Sequence, residues 1–243
     1  MRASACLPAG REKKDMLELK LIDRGFAKTM LLLPGWATDY RIFSTLELNY
    51  NYLLPQKFSL DDFSQVLSAQ LDKIALKKVS LFGCSLGAFL AAEFSARYPR
   101  RVEELFLSGV RISYSREVVE AARRKLQKDQ QGFLRRFYQS CFSRHDAQSL
   151  KWFKQNLLDD YLRSFTLAEL TRGLDYLQAA VIDPGKLAGI KKLRIFHGRL
   201  DRIAPLEEAA RIKSCLPGAE FISLPAAGHI VFLNPGFREK FNG

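Results

Sequence analysis

The sequence predicts an α/β fold: a mostly parallel central sheet with helices on both faces, and a helical lid inserted after a strand ending near Val110. Three observations predict it. Short apolar runs alternate with amphipathic segments along most of the chain, which implies parallel strands joined by crossover helices. One such run, Val79-Ser80-Leu81-Phe82, passes through Gly83-Cys84-Ser85-Leu86-Gly87 into the helix-forming, apolar stretch Ala88 to Ala96. The rhythm then stops: from about Ser113 to Asp183 the pattern is helical with little strand signal, and it resumes at Leu193.

In chain order, Met16-Leu17-Glu18-Leu19-Lys20-Leu21 alternates as a half-buried strand does, and Thr29 to Leu33 is a continuous apolar run stopped by Pro34-Gly35, as suits a buried parallel strand. A third strand is expected at Leu48 to Leu53. Ser59-Leu60-Asp61-Asp62 has the composition of a capped helix start, and Phe63, Val66, Leu67, Leu71 and Ile74 mark one face of the helix that follows. A further strand is expected at Glu104 to Gly109. In the helical block, Val118, Val119, Ala122 and Leu126 form one stripe, and Leu170, Leu174 and Leu177 another. Leu193 to Phe196, Pro205 to Cys215 and Glu220 to Ser223 return to strand, helix and strand. The expected organisation is a leader over residues 1–14, expected to be disordered, a core of residues 15–111 and 186–243, and a lid of residues 112–185.

With 243 residues, 47% of them apolar, the chain can bury one large α/β core. No apolar run approaches the roughly 20 residues of a membrane span, and the N-terminus lacks the apolar centre of a secretory signal. Cys6, Cys84, Cys141 and Cys215 are scattered without metal or disulfide spacing, so no metal, no cofactor and a cytoplasmic location are expected. The net charge of +12 is uneven: Arg111 to Lys154 holds eleven Lys or Arg against four Asp or Glu. That local excess suggests a docking surface for an acidic partner. No nucleic-acid-binding motif or membrane contact is expected, and the chain is expected to be a monomer.

Strand, Gly-x-Ser-x-Gly and helix in succession form the setting of a nucleophile elbow, in which Ser85 sits at a sharp turn with its hydroxyl exposed. A serine hydroxyl needs a base, and the base needs an acid to orient it. The chain has three histidines. His229, in a turn after the last strand, is the candidate base. His197 ends a strand and is expected to satisfy backbone groups, while His145 lies in the basic helical block. Asp201, in the turn after the penultimate strand, is the candidate acid, although it could instead cap the helix near Pro205. Asp183 is a weaker candidate. The oxyanion donors expected are the N–H groups of Leu86 and of Trp36, the latter in the loop after an early strand. The Trp36 ring could equally be a packing residue.

Together these motifs resemble the α/β-hydrolase superfamily, and within it the esterases that cleave the methyl ester of pimeloyl-acyl carrier protein in biotin synthesis. Gly35-Trp36 resembles that family's oxyanion loop. Leu126 to Gln131 with Arg136-Phe137 resembles the start of its lid, and Thr171 to Leu177 the lid's last helix. The resemblance implies a serine carboxylesterase without a cofactor, whose partner is an acidic acyl carrier protein docked by lid cations. Arg136 and Arg144 are the docking positions it carries over; Arg123, Arg124, Lys128, Arg135 and Lys151 are neighbours supported by charge. Phe137 is expected to line the acyl channel or to pack in the core. The chain departs from the pattern at Pro34, Cys84 and Gln148, and in the segment Asn49 to Lys57. A broad carboxylesterase, an acyl thioesterase, and a carrier- or nucleic-acid-binding module on the same fold are the alternatives.

Overall fold

The computed structural model describes residues 17–242; the leader expected over residues 1–14, with Cys6, lies outside them. Among the described residues seven strands form one sheet in the order β1-β3-β2-β4-β5-β6-β7. They are β1 Leu17–Ile22, β2 Thr29–Leu33, β3 Asn51–Phe58, β4 Val79–Cys84, β5 Val102–Ser108, β6 Leu193–Gly198 and β7 Glu220–Leu224. Only β1 runs antiparallel, against β3; every other pairing is parallel. β4, at the centre, is buried at all six positions, which explains its unbroken apolar character.

The third strand lies further along than Leu48–Leu53. Tyr52 holds the chain ahead of it in a loop, its hydroxyl accepting from the Leu48 N–H and donating to the Leu46 carbonyl. The strand then runs through Pro55, which has no N–H to give. The β1–β3 register shifts between Glu18 and Leu19, and Pro55 faces Leu19 at that irregularity. The first helix, α1 Phe63–Lys73, starts without the expected side-chain cap: Asp62 has φ 52° and caps nothing. α2 Leu86–Arg97 follows β4 directly and packs on β4, β5 and α1.

Between β5 and β6 the chain forms α3 Arg116–Lys128, α4 Gln130–Ser140, α5 Ala147–Phe153, α6 Asp159–Ser164 and α7 Leu167–Ala179. Their boundaries have local causes. The Ser115 hydroxyl accepts from the Val118 N–H at the start of α3, and the Asp129 carboxylate, which separates α3 from α4, accepts from the Gly132 N–H. Thr166 and Glu169 form a reciprocal capping box at α7. The insertion leaves and rejoins the sheet at one place, where Ser113 bridges Val181 and the Ile182 N–H donates to the Ile112 carbonyl at 2.9 Å. α8 Leu206–Ser214 packs on β6 and β7, and α9 Phe237–Asn242 ends the described chain.

β3 lies to one side of β2 and β4 onward to the other, so the chain reverses its direction of travel between β2 and β4. Crevices outside the carboxyl ends of strands at such a reversal are the usual binding sites of open α/β sheets. Trp36 follows the end of β2, Ser85 the end of β4, Asp201 the end of β6 and His229 the end of β7.

Candidate active site

Ser85 takes φ 53° and ψ −115°, a conformation that side chains rarely adopt and that costs about 1–3 kcal/mol. Packing imposes it. The Ser85 N–H donates to the Ser108 carbonyl at 2.9 Å, tying the tip of the turn to the end of β5. A Cβ on Gly83 would lie 2.3 Å from the Gly87 carbonyl oxygen, and one on Gly87 would lie 2.2 Å from the Leu33 carbonyl oxygen. The two glycines let the elbow close on itself and on β2.

His229 Nδ1 stands 2.7 Å from Asp201 Oδ2, and both side chains are almost fully buried. The other Asp201 oxygen accepts from the N–H groups of Ile203, at 2.7 Å, and Ala204, at 2.9 Å. Burial alone would raise the Asp201 pKa; the neighbouring His229 charge and hydrogen bond, His197 and the Ala204 N–H outweigh it and hold the carboxyl below its ordinary value. An ionised Asp201 accepts the Nδ1 proton of His229 and leaves the Nε2 lone pair free, which is the tautomer a base requires. Nε2 is buried and has no hydrogen-bond partner among the described residues. The ring rests against Gly109, whose φ is +57°; a Cβ there would lie 2.9 Å from both Cε1 and Nδ1.

Ser85, His229, Gly35, Trp36, Phe137 and Cys141 share one cavity of about 20 Å³ with six further residues, room for about one water. Leu86 opens α2, so its N–H has no carbonyl one turn earlier to bond. The Trp36 N–H makes no hydrogen bond among the described residues. The loop bearing it is held from the helical insertion: Trp36 Nε1 donates to the Leu170 carbonyl at 2.9 Å, and the buried Tyr138 hydroxyl donates to the Ala37 carbonyl at 2.6 Å. Phe137 is half-buried, edge-on to Trp36 with centroids 5.0 Å apart.

His197 is fully buried, and burial lowers its pKa; its Nε2 lies 2.9 Å from the Ala204 carbonyl. Asp183 sits elsewhere, accepting from the Gly185 N–H after the insertion.

The expected docking cations divide. Arg124, Lys128, Arg144 and Lys151 are exposed and have no ion pair among the described residues. Arg135 and Arg136 are exposed and loosely paired, with Asp159 at 4.0 Å and Asp129 at 3.7 Å. Such surface pairs are worth about 0–1 kcal/mol and yield readily. Arg123 differs from the expectation: its side chain is 17% exposed and bound to Asp175 at 2.7 Å and Glu120 at 3.3 Å, so it ties α3 to α7.

Several site residues carry no local sequence signal. Tyr138 and Gly109 are two. Tyr114 is a third: desolvation of its half-buried side chain pushes the phenol pKa up, with the neighbouring Arg111 and Ser85 opposing the rise, and its ring stacks under the Arg111 guanidinium at 4.4 Å. Among the described residues no cluster of His, Cys, Asp and Glu could hold a metal, and no helix is long and apolar enough to cross a membrane.

The fold has counterparts among known proteins. The family described as alpha/beta hydrolase fold matches residues 34–170. A pimeloyl-[acyl-carrier protein] methyl ester esterase of Nitrosomonas europaea is 24% identical over 250 aligned positions, covering 93% of this chain and 97% of that protein. Among solved structures, an esterase from Exiguobacterium antarcticum is 20% identical with a TM-score of 0.76, covering 93% of each chain. An enol-lactonase from Burkholderia xenovorans LB400 is 17% identical with a TM-score of 0.75, again covering 93% of each chain. With a family match over more than half its length and the matching fold, the chain belongs to the α/β-hydrolase family and is a hydrolase.

Proposed function

We propose that this hydrolase is a serine carboxylesterase that removes methanol from the methyl ester of a pimeloyl chain carried on an acidic acyl carrier protein, freeing the carboxylate for biotin synthesis. The observation that carries the chemistry is the His229–Asp201 pair, 2.7 Å apart, with His229 lining the same cavity as the strained Ser85. Ser85 attacks the ester carbonyl as His229 Nε2 takes its proton. The N–H groups of Leu86 and Trp36 stabilise the oxyanion, and His229 returns the proton to the departing methoxide. Water then hydrolyses the acyl-enzyme by the same route. Asp201 stays ionised throughout, orienting the ring and balancing the imidazolium charge. Among the aromatic side chains lining the cavity, Phe137 is less confined than Trp36, Tyr138 or Phe232 and is the one free to yield to an entering ester.

The substrate is supported by the Nitrosomonas europaea relative, aligned nearly end to end, and by the charge of the insertion. Arg124, Lys128, Arg144 and Lys151 present unspent positive charge to an acidic carrier, and the loose pairs of Arg135 and Arg136 yield readily to one. The test is incubation with the carrier-bound methyl ester, followed by methanol and by the mass of the carrier species. Loss of methanol with the acyl chain still on the carrier is expected. Release of the chain with its methyl group intact would mark an acyl thioesterase instead.

A further inference from the structure

We propose that Asp146 is a positioning residue for His229, through which the helical insertion sets the register of the loop that carries the base; the proposal rests on the esterase reading above. Asp146 is 5% exposed and has no cation beside it among the ion pairs of the described residues. Its carboxylate is spent on hydrogen bonds instead. Oδ2 accepts from the N–H groups of Ser143 and Gly228, each at 2.8 Å, and Oδ1 accepts from Asn234 Nδ2 at 2.9 Å. Gly228 immediately precedes His229, and Asn234 lies beyond it, so one carboxylate grips the loop on both sides of the base.

Neighbouring atoms make the same connection. The His229 N–H donates to the Cys141 carbonyl at 2.8 Å, and the Ser143 hydroxyl donates to the Ala226 carbonyl at 2.8 Å. A Cβ on Gly228 would lie 2.6 Å from the Cys141 carbonyl oxygen, so the two backbones touch. The turn after α4 and the base loop are thus one hydrogen-bonded unit. A buried carboxylate keeps its oxygens satisfied only while that unit is in register.

The hydrogen-bond pattern supplies a specific test. In Asp146→Asn the amide has one oxygen. If it faces the two backbone N–H groups, the amide nitrogen meets Asn234 Nδ2, donor against donor; the flipped amide meets the backbone donors. Exchanging the pair, Asp146→Asn with Asn234→Asp, restores every bond: the new amide donates to the carboxylate at 234. The other oxygen of that carboxylate still accepts the Gly236 N–H, now held by Asn234 Oδ1 at 3.0 Å.

Two readouts are taken: kcat and KM on a small p-nitrophenyl ester, and the downfield proton resonance of His229 Nδ1–H against Asp201. The single variant is expected to lower kcat by about 10- to 100-fold, the scale of a misplaced catalytic group, with KM little changed and the resonance lost or broadened. The exchanged pair is expected to recover both. Glu104→Gln, a buried change remote from this loop, is expected to lower the melting temperature and keep the resonance. An Asp146→Asn protein with wild-type kcat and resonance would overturn the proposal, as would a folded exchanged pair that recovers neither. The resonance needs no substrate, so a wild-type protein inactive on esters would sink the esterase reading while leaving Asp146 to be judged by the spectrum.

Discussion

Replacing Gly173 with alanine should damage catalysis from within a helix whose intrinsic stability it improves. Gly173 lies in the middle of α7, where an alanine would ordinarily gain about 1 kcal/mol of helix propensity. Its Cβ, however, would fall 2.5 Å from Trp36 Cδ1 and 2.8 Å from Nε1. The indole cannot step aside cheaply: it is 7% exposed and wedged against Phe133 and Phe137, with centroids 6.2 and 5.0 Å away. Overpacking of this kind costs about 1–3 kcal/mol. Moving the ring also breaks the bond to the Leu170 carbonyl, and leaving a buried group unsatisfied costs a further 1–3 kcal/mol or so. The sum exceeds the helical gain, so a net loss of about 1–5 kcal/mol is expected. The Trp36 N–H moves with its side chain, and in its proposed role as an oxyanion donor its loss lowers kcat by about 100- to 1,000-fold. Thermal unfolding and turnover of a p-nitrophenyl ester measure the two effects on one preparation. A Gly173→Ala protein that melts higher than wild type and keeps its kcat would refute the packing of Trp36 on α7 and its link to the oxyanion loop.

Three other outcomes follow from the same geometry. Asp201→Asn would present the wrong hydrogen-bonding partner to His229 Nδ1 and should lower kcat on the order of 10⁴-fold with the fold intact; circular dichroism beside steady-state kinetics checks both. Glu104, buried at the opposite end of β5, accepts from the Tyr50 hydroxyl at 2.6 Å, Lys28 at 3.0 Å, Ser80 at 3.2 Å and Lys192 at 3.4 Å. Burial opposes its ionisation, but these partners prevail and its pKa is lowered. A carboxylate with a lowered folded pKa stabilises the protein fully above its unfolded value, about 4.3, and ceases to do so as pH falls through the folded value. Glu104→Gln should therefore melt lower than wild type at pH 7 and lose less on acidification below about pH 4; melts across that range decide it. Finally, raising salt from about 50 to 500 mM should slow hydrolysis of the carrier-bound ester far more than that of a small ester. Equal slowing would remove the case for the exposed cations as a docking surface.

The parts of the candidate site carried by local chemistry are legible in the sequence. The elbow announces itself because strand, glycine-flanked serine and helix are contiguous, and His229 emerged because only three histidines had to be weighed. Asp201 could be placed because the turn after β6 leads to it directly. What lay beyond reading acts across the chain. Asp146 meets Gly228 82 residues away, Tyr138 meets Ala37 across 101, and Trp36 meets Leu170 across 134. Nothing in their neighbours along the sequence marks these contacts. The expected third strand starts too early for a related reason: Leu48 and Tyr50 have strand-like composition but are buried as a loop, and the observed strand runs on through Pro55, tolerated at a register shift. Arg123 has the sequence surroundings of a surface cation, and only the packing of α3 on α7 shows Asp175 beside it.

The central claim, that Ser85 is the nucleophile activated by His229, is tested most directly by trapping the acyl-enzyme. The protein is mixed with a slow p-nitrophenyl ester, quenched in acid within the burst and digested, and the acylated peptide is located by mass spectrometry. The account predicts one acyl group on Ser85, absent from Ser85→Ala and greatly diminished in His229→Ala. A burst of p-nitrophenol with the acyl group on another residue, or undiminished turnover by Ser85→Ala, would contradict it.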